Sequence, residues 1–191
     1  MNIFKINTSK KFDLIRGLNI VNLKERHKLS IKNLKKGSYI KLGNDVLYVE
    51  DVYTYTEKGG EWKEYKLINV MTLKVSFIEV EEDDYLVVTL SETEIKMRNL
   101  GVSIDDIEDM SEDEEGQIKV NGKIYYYEDD YKAKFSRENS DKKEKVYFYD
   151  FEAEDGTLLT IEEWGSDKKG YDYEAWLSKE IPESSIEILA L

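Results

Sequence analysis

The chain lacks cysteine and has a single proline among its 191 residues. The absence of cysteine excludes disulfide bonds, thiolate-ligated zinc sites and thiol nucleophiles, and it is typical of proteins from a reducing compartment. Proline cannot donate a hydrogen bond to a sheet, so a chain almost free of it can form uninterrupted strands. The 14 tyrosines favour the same structure, because half-buried strands accept a ring with a polar tip.

Long apolar runs are also missing. No segment approaches the roughly 20 apolar residues that cross a bilayer. The first residues lack the apolar stretch of a signal peptide. These two absences predict a soluble, cytoplasmic protein without a transmembrane segment.

Histidine is represented by His27 alone, between Arg26 and Lys28. One histidine cannot form a metal site, and cations on both sides make it a poor general base. The chain contains no phosphate-binding glycine motif, no nucleophile elbow and no zinc pattern. The sequence therefore predicts no cofactor and no metal, and it identifies no catalytic residue.

The net charge of −13 is unevenly distributed. Residues 1–36 hold ten Lys or Arg and two Asp or Glu, whereas the remaining residues are strongly acidic. An acidic body should repel nucleic acid and anionic lipid. We expect residues 1–33 to form a basic arm, which either packs on the acidic body or binds a protein partner.

One stretch of the sequence occurs twice. Without gaps, four positions match between Asn44-Asp-Val-Leu-Tyr-Val-Glu-Asp-Val-Tyr53 and Gly122-Lys-Ile-Tyr-Tyr-Tyr-Glu-Asp-Asp-Tyr131. Further along, Glu79 aligns with Glu162. The pattern predicts a tandem duplication, with a β repeat at 34–90, a helical and acidic connector at 91–116 and a second β repeat at 117–191. We expect the repeats to form one structural domain.

Turn signals recur in the same order in both repeats. Short apolar runs alternate with glycine turns, among them Gly43-Asn44, Gly59-Gly60, Asn121-Gly122 and Asp155-Gly156. The pattern predicts a mainly β protein of two five-stranded antiparallel meanders. Packing them as a sandwich, or as paired small barrels, would cover the apolar faces. Between them, Ser91 has the sequence context of a helix N-cap, for a helix that ends at Gly101.

The aligned acids Glu79 and Glu162 are the first candidate site. Each lies among apolar residues of a predicted strand, where burial would raise the pKa of a carboxyl group. Two such groups facing each other could act as acid and base, provided that their side chains lie within roughly 5–10 Å. The alternative is that each pairs with a lysine on a neighbouring strand.

Tryptophans form the second candidate site. Trp62 and Glu64 share a predicted strand with Tyr65, and Trp164 and Trp176 lie in the second repeat. Together they could line an aromatic groove for a peptide, a sugar or a base. The alternative is that these rings belong to the core or to cross-strand pairs.

The order of several short motifs resembles a bacterial family known as domain of unknown function 4178. In the first repeat they are Leu34-Lys-Lys-Gly37, Trp62-Lys-Glu-Tyr-Lys-Leu67 and Ile78-Glu79. In the second they are Gly122-x-x-Tyr125, Val146-x-x-Tyr-Asp-Phe151, Leu159-x-Ile-Glu-x-Trp164 and Glu174-Ala-Trp176. The resemblance covers both repeats. It implies no catalytic residues, and it suggests an accessory role associated with stress or membranes.

Three functions remain open from the sequence. The first is a non-enzymatic module that binds a protein through a strand edge or the basic arm, and the missing catalytic motifs favour it. The second is a protein that binds a small ligand or a carbohydrate between the repeats. The third is a carboxylate-based hydrolase that uses Glu79 and Glu162.

Overall fold

The protein is mainly β, as the sequence predicts. The computed structural model describes residues 10–11, 13–15, 17, 29–82, 84–138, 140–166 and 170–191. The described residues form eleven strands, all antiparallel to their neighbours and all in one sheet. They are β1 (Tyr39–Leu42), β2 (Asp45–Glu57), β3 (Gly60–Asn69), β4 (Val75–Glu82), β5 (Leu86–Ile95), β6 (Gln117–Val120), β7 (Lys123–Arg137), β8 (Lys143–Glu152), β9 (Thr157–Ser166), β10 (Gly170–Glu180) and β11 (Ile186–Ala190).

Helical structure in the described residues is limited. Residues 10, 11 and 13–15 are helical, and 3₁₀ turns span Ile31–Asn33, Met97–Asn99 and Glu183–Ser185. One α-helix, Ile104–Asp113, lies between β5 and β6. It begins with a capping box, in which Ser103 and Asp106 each accept a hydrogen bond from the other's backbone N–H. No described helix is long and apolar enough to cross a membrane.

The sheet closes on itself. Its strand order is β11-β1-β2-β3-β4-β5-β10-β9-β8-β7-β6, and β2 also pairs with β7. One edge of β2 pairs with β3. Its other edge is long enough for two partners, because residues 45–48 pair with β1 and residues 53–56 pair with β7. Strands β2, β3, β4, β5, β10, β9, β8 and β7 therefore form a closed ring. Such a ring has one shared interior, in contrast to the sandwich or the paired small barrels that the sequence predicts.

The two halves of the ring, β2–β5 and β7–β10, are paired in the same way. In the first half the register of β2 on β3 shifts at Glu50. In the second half the register of β7 on β8 shifts at Glu128, the residue that aligns with Glu50. A bulge bends its strand and re-aims the side chains beyond it. Both halves therefore change direction at the same point.

Alternation along the strands gives the ring two faces. One face carries two apolar cores, the first around Leu67 and Ile78 and the second around Phe151 and Leu159. The helix packs on the second core through Ile107, which is 1% exposed. Neighbouring positions on the same strands point the opposite way, into the ring. The cores thus hold the strands in place while the alternate residues remain available to line the interior.

The predicted helix from Ser91 to Gly101 is wrong. Residues 91–95 continue β5, where Thr93 lies opposite Leu177 and Ile95 opposite Ala175 of β10. The pairing with β10 closes one side of the ring, and it outweighs a local capping signal. The later part of the connector, by contrast, contains the α-helix Ile104–Asp113.

The described part of the basic arm contacts the protein's own body. Lys10 forms an ion pair with Glu50 at 3.3 Å. The hydroxyl of Tyr39 donates a hydrogen bond to the carbonyl of Leu14. His27, for which the sequence predicts neither a metal site nor a role as general base, lies outside the described residues.

Candidate functional site

The interior of the ring contains a cavity of about 370 Å³. All eight strands of the ring contribute to its wall, and most of them do so with residues two positions apart, as alternation requires. From the first half come Tyr53, Tyr55, Glu64, Lys66, Phe77, Glu79, Thr89 and Ser91. The second half contributes Tyr131, Phe135, Arg137, Glu144, Phe148, Asp150, Leu158, Thr160, Glu162, Trp164, Glu174, Trp176 and Ser178.

Six carboxyl groups line this cavity; Glu144 and Glu174 are exposed, and the other four are Glu64, Glu79, Asp150 and Glu162. Each of these four is half-buried, because protein surrounds it while its remaining surface faces the cavity. Within the described ranges, no Lys or Arg forms an ion pair with any of the four. Burying a carboxylate without a counter-charge is costly, so the group tends to keep its proton.

The two acids of the first half show this effect. Burial raises the pKa of Glu79 to about 8, with further contributions from the nearby carboxylates of Asp150, Glu81 and Glu162. Burial also raises the pKa of Glu64 well above its usual value, and Glu162 and Glu79 add to the shift. The Tyr55 hydroxyl donates a hydrogen bond to Glu64 at 3.3 Å, which offsets only part of it.

The two acids of the second half have better hydrogen-bond donors. Burial raises the pKa of Asp150 to about 6, although the hydroxyls of Thr160 and Tyr131 oppose the shift. Thr160 donates to Asp150 at 2.6 Å. Burial and the carboxylate of Glu174 raise the pKa of Glu162, while the indole N–H of Trp164 donates to it at 2.9 Å.

The cations of the wall are engaged elsewhere. Lys66 forms an ion pair with Glu50 at 3.2 Å. Arg137 is exposed, and its guanidinium lies 5.6 Å from the ring centre of Tyr53. Glu174 is also exposed and lies at the outer part of the wall. The described wall therefore contains more acidic than basic side chains.

Aromatic rings fill much of the remaining wall. Phe77 meets Trp176 edge to face, with ring centres 4.9 Å apart, and Phe135 meets Trp164 at 5.0 Å. Such pairs hold each ring in a fixed orientation beside the cavity. The wall thus combines carboxyl groups with rigid aromatic surfaces.

The sequence-predicted site residues separate into two groups. Glu64, Glu79, Glu162, Trp164 and Trp176 line the cavity together. Trp62 and Tyr65 do not. Tyr65 is fully buried in the first core, because it points to the opposite face of β3 from its neighbour Glu64.

Trp62 lies inside the ring, in the buried aromatic cluster next to the cavity. It is 7% exposed and stacks on Tyr55, with ring centres 5.4 Å apart. Its indole N–H lies close enough to Glu79 to lower the pKa of that acid, yet it makes no hydrogen bond of ordinary geometry. Trp62 therefore supports the wall and supplies a donor beside Glu79.

Sequence reasoning missed Asp150 as a site residue. It lies in the otherwise apolar and aromatic segment Val146–Phe151, and a lone acid in such a run is a signal of a polar interior. Its neighbour Tyr149 points to the opposite face and is buried in the second core. The acid at that position thus belongs to the cavity and not to the surface.

A carboxylate on the opposite face shows what a structural acid looks like in this fold. Asp130 accepts hydrogen bonds from the hydroxyls of Tyr127 at 2.5 Å, of Ser111 at 2.7 Å and of Tyr147. Burial opposes its ionisation, but these three donors outweigh burial and lower its pKa. Asp130 is thus stabilised as an anion, whereas the pKa values of the four acids in the cavity are raised.

The donor set does not suit a metal ion. Among the residues that the structure describes, no group of three or more His, Cys, Asp or Glu side chains is arranged to hold one. The four cavity acids come from β3, β4, β8 and β9, and they affect one another's pKa values across the cavity.

Comparisons with known proteins identify a family but no closer relative. No curated protein matches the chain, and neither does any solved structure. The family model described as "Domain of unknown function (DUF4178)" matches residues 35–183, which include all eight strands of the ring. The chain therefore belongs to the DUF4178 family.

Proposed function

We propose that this protein binds a small molecule inside the ring of eight strands. The carrying observation is the cavity of about 370 Å³, to which both halves contribute polar and aromatic side chains. Small-molecule sites are typically concave spaces of roughly 300–1,000 Å³, with apolar walls and a few convergent polar groups. Part of the interior is a buried aromatic cluster that includes Tyr55, Phe135 and Phe148, and the half-buried acids lie beside it at positions that a purely apolar core would not give to carboxyl groups.

The same proposal covers the domain organisation. An ancestral β unit was duplicated, and repeats 34–90 and 117–191 supply the two sides of the cavity wall, with Ser91 of β5 added at the end of the first. The matching bulges at Glu50 and Glu128 support this origin, as do the matching acids Glu79 and Glu162. Residues 91–116 connect the repeats, and the basic arm packs on the body instead of serving as the main binding surface. Ion pairs from Lys10 and Lys32 to acidic strand residues support that role.

Binding can be tested by filling the cavity. Ser91 lines it, and phenylalanine at this position would occupy part of its volume. Ser184 is exposed on the 3₁₀ turn before β11, so Ser184→Phe is a matched control. We expect a library of small cationic, neutral and anionic compounds to contain ligands that change tryptophan fluorescence saturably, because Trp164 and Trp176 line the cavity.

Ser91→Phe should abolish these changes and Ser184→Phe should not. If no compound of any charge binds, or if Ser91→Phe binds as well as the unchanged protein, the proposed function is wrong. The hypothesis that the protein acts through a protein partner would then become the stronger one.

A second candidate is a carboxylate-based hydrolase, favoured by one observation. Asp150 and Glu79 line the same cavity, with pKa values of about 6 and about 8. Near neutral pH one can accept a proton while the other can donate one, which is the division of roles in a glycoside hydrolase. Turnover of aryl glycosides with a bell-shaped pH profile, lost in Glu79→Gln, would establish this activity. Turnover that persists in Glu79→Gln would reject it.

A further inference from the structure

We infer that the ligand is a small organic cation, an amine whose ammonium group binds among Glu64, Glu79, Asp150 and Glu162 and displaces a proton from them. This inference rests on the proposed function and specifies its ligand class. The carrying geometry is a group of four carboxyl groups that face one cavity from both halves of the ring, without an ion-pair partner in the described part of the chain.

The like charges of the wall favour a cation over a neutral ligand. Glu64, Glu79 and Glu162 come from β3, β4 and β9, and each lies within the electrostatic range of the others. Ionisation of one therefore opposes ionisation of the next. A neutral sugar would leave this repulsion in place, whereas an ammonium group removes it.

Aromatic surfaces favour the same class of ligand. Trp164, Trp176, Phe77 and Tyr131 line the cavity beside the acids. The face of an aromatic ring attracts an ammonium group, and its apolar area accepts the methylene chain that carries it. The indole N–H of Trp62, buried beside Glu79 without an ordinary hydrogen bond, can then bond fully to an ionised carboxylate.

Proton release follows from the same geometry. The charged and titratable groups of the wall are Tyr53 and Tyr55 on β2, Glu64 and Lys66 on β3, Glu79 on β4, Tyr131 and Arg137 on β7, Glu144 and Asp150 on β8, Glu162 on β9 and Glu174 on β10. Burial keeps protons on the carboxyl groups of Glu79 and Glu162 near neutral pH. When the ammonium group binds, a carboxyl group loses its proton to solvent and forms an ion pair.

Calorimetry with a matched set of test ligands examines the inference. Hexamethylenediamine, hexamethylene glycol and adipate share a six-carbon chain and differ in charge. We expect the diamine to bind at least about 10-fold more tightly than the glycol, and adipate not to bind. Titrations in two buffers of different ionisation enthalpy should show protons released.

The pH dependence provides a second readout. Asp150 and Glu79 have pKa values of about 6 and about 8, so affinity for the diamine should rise from pH 6 to pH 8. An alkylammonium group with a pKa of about 10.4 stays charged throughout this range. Affinity that is unchanged or that falls over this range overturns the inference.

Adjacent glutamates on β9 supply the matched variants. Glu162→Gln removes a cavity acid, whereas Glu163→Gln changes its neighbour, which accepts hydrogen bonds from Tyr149 and Tyr173 outside the cavity. We expect Glu162→Gln to weaken diamine binding at least about 10-fold and Glu163→Gln to leave it unchanged. Equal effects would overturn the inference.

The two proposals fail in different ways. If the fluorescence screen finds ligands that Ser91→Phe excludes, but the glycol or adipate binds as tightly as the diamine, the cavity binds small molecules and the cation inference is wrong. If none of the three test ligands binds at millimolar concentration, the cation inference is also wrong. The proposed function then depends on the screen alone.

Discussion

Lys66 and Asp150 occupy equivalent positions in the two halves of the ring, and they carry opposite charges. Lys66 lies in β3, the second strand of the first half, opposite Phe77, and Asp150 lies in β8, the second strand of the second half, opposite Thr160. Both side chains line the cavity. The two halves thus share the pairing that shapes the wall but differ in the charges that they place on it.

A second pair of equivalent positions also differs in charge. Glu79 and Glu162 are identical, whereas their neighbours on the fourth strand are Thr89 in the first half and Glu174 in the second. The second half is therefore the more acidic side. A ligand with one ammonium group should bind in one orientation, with its charge toward Asp150 and Glu162.

The largest expected effect comes from neutralising the acids that both halves share. In the ligand-free protein, the double variant Glu79→Gln/Glu162→Gln should increase the free energy of unfolding near pH 9 by about 2–4 kcal/mol. The folded-state pKa of each acid is raised, so each contributes stability while protonated and loses it as the pH rises through that pKa. Glutamine stays neutral at every pH.

Urea denaturation near pH 5 and pH 9 measures this effect. The gain should be small at pH 5, where both acids of the folded protein are protonated. A double variant that is destabilised equally at both pH values would show that these acids are not held in a protonated form.

A smaller effect of the opposite sign is expected on the other face of the sheet. Asp130→Asn should lower the free energy of unfolding by about 1–2 kcal/mol, because the three hydroxyls of Tyr127, Ser111 and Tyr147 lose a charged acceptor. Since the pKa of Asp130 is lowered, its contribution is present at neutral pH and is lost as the pH falls through that pKa. Denaturation at pH 7 measures the loss, and diamine affinity should not change. Stabilisation by this variant would remove the contrast between the two faces.

Next in size is the effect of the charge difference itself. Asp150→Asn should weaken diamine binding by about 3–10-fold, and Lys66→Met should strengthen it by about 3-fold. Calorimetry at pH 7 measures both. Changes in the same direction would contradict the view that the two halves have diverged in charge.

The smallest expected effect distinguishes the aligned tyrosines Tyr53 and Tyr131. The Tyr131 hydroxyl lowers the pKa of Asp150, whereas Tyr53 lies beside Arg137. Tyr131→Phe should therefore reduce diamine affinity about 2-fold between pH 6 and pH 7, and Tyr53→Phe should have no effect in that range. An equal loss in both variants would mean that the hydroxyls act only through their bulk.

Much of the fold could be predicted from sequence because local signals specify strands and turns. Glycine turns and the alternation of apolar residues predicted strand ends correctly at Gly59-Gly60, where β2 meets β3, at Asn121-Gly122, between β6 and β7, and at Asp155-Gly156, between β8 and β9. The same local signals failed at Ser91, because residues 91–95 are held in a strand by β10, which is some 80 positions away. Closure of the ring also depends on a distant pairing, that of β2 with β7.

The candidate site was predicted only in part. Alignment of the repeats identified Glu79 and Glu162, and the aromatic strand motifs identified Glu64 and Trp164. Alternation places Trp62 on the same inner face of β3 as Glu64. It could not show that the Trp62 ring is buried among other aromatic rings and does not reach the cavity. Asp150 was missed because its role depends on which of two faces encloses the cavity, and that follows only from closure.

The most direct test is a pH titration of the Glu79 and Glu162 side-chain carboxyl groups by carbon NMR, with signals assigned through Glu79→Gln and Glu162→Gln. The account predicts that Glu79 titrates near pH 8 in the ligand-free protein and that both midpoints fall when hexamethylenediamine is added. Midpoints near the ordinary glutamate value of about 4.3, unchanged by the diamine, would contradict it.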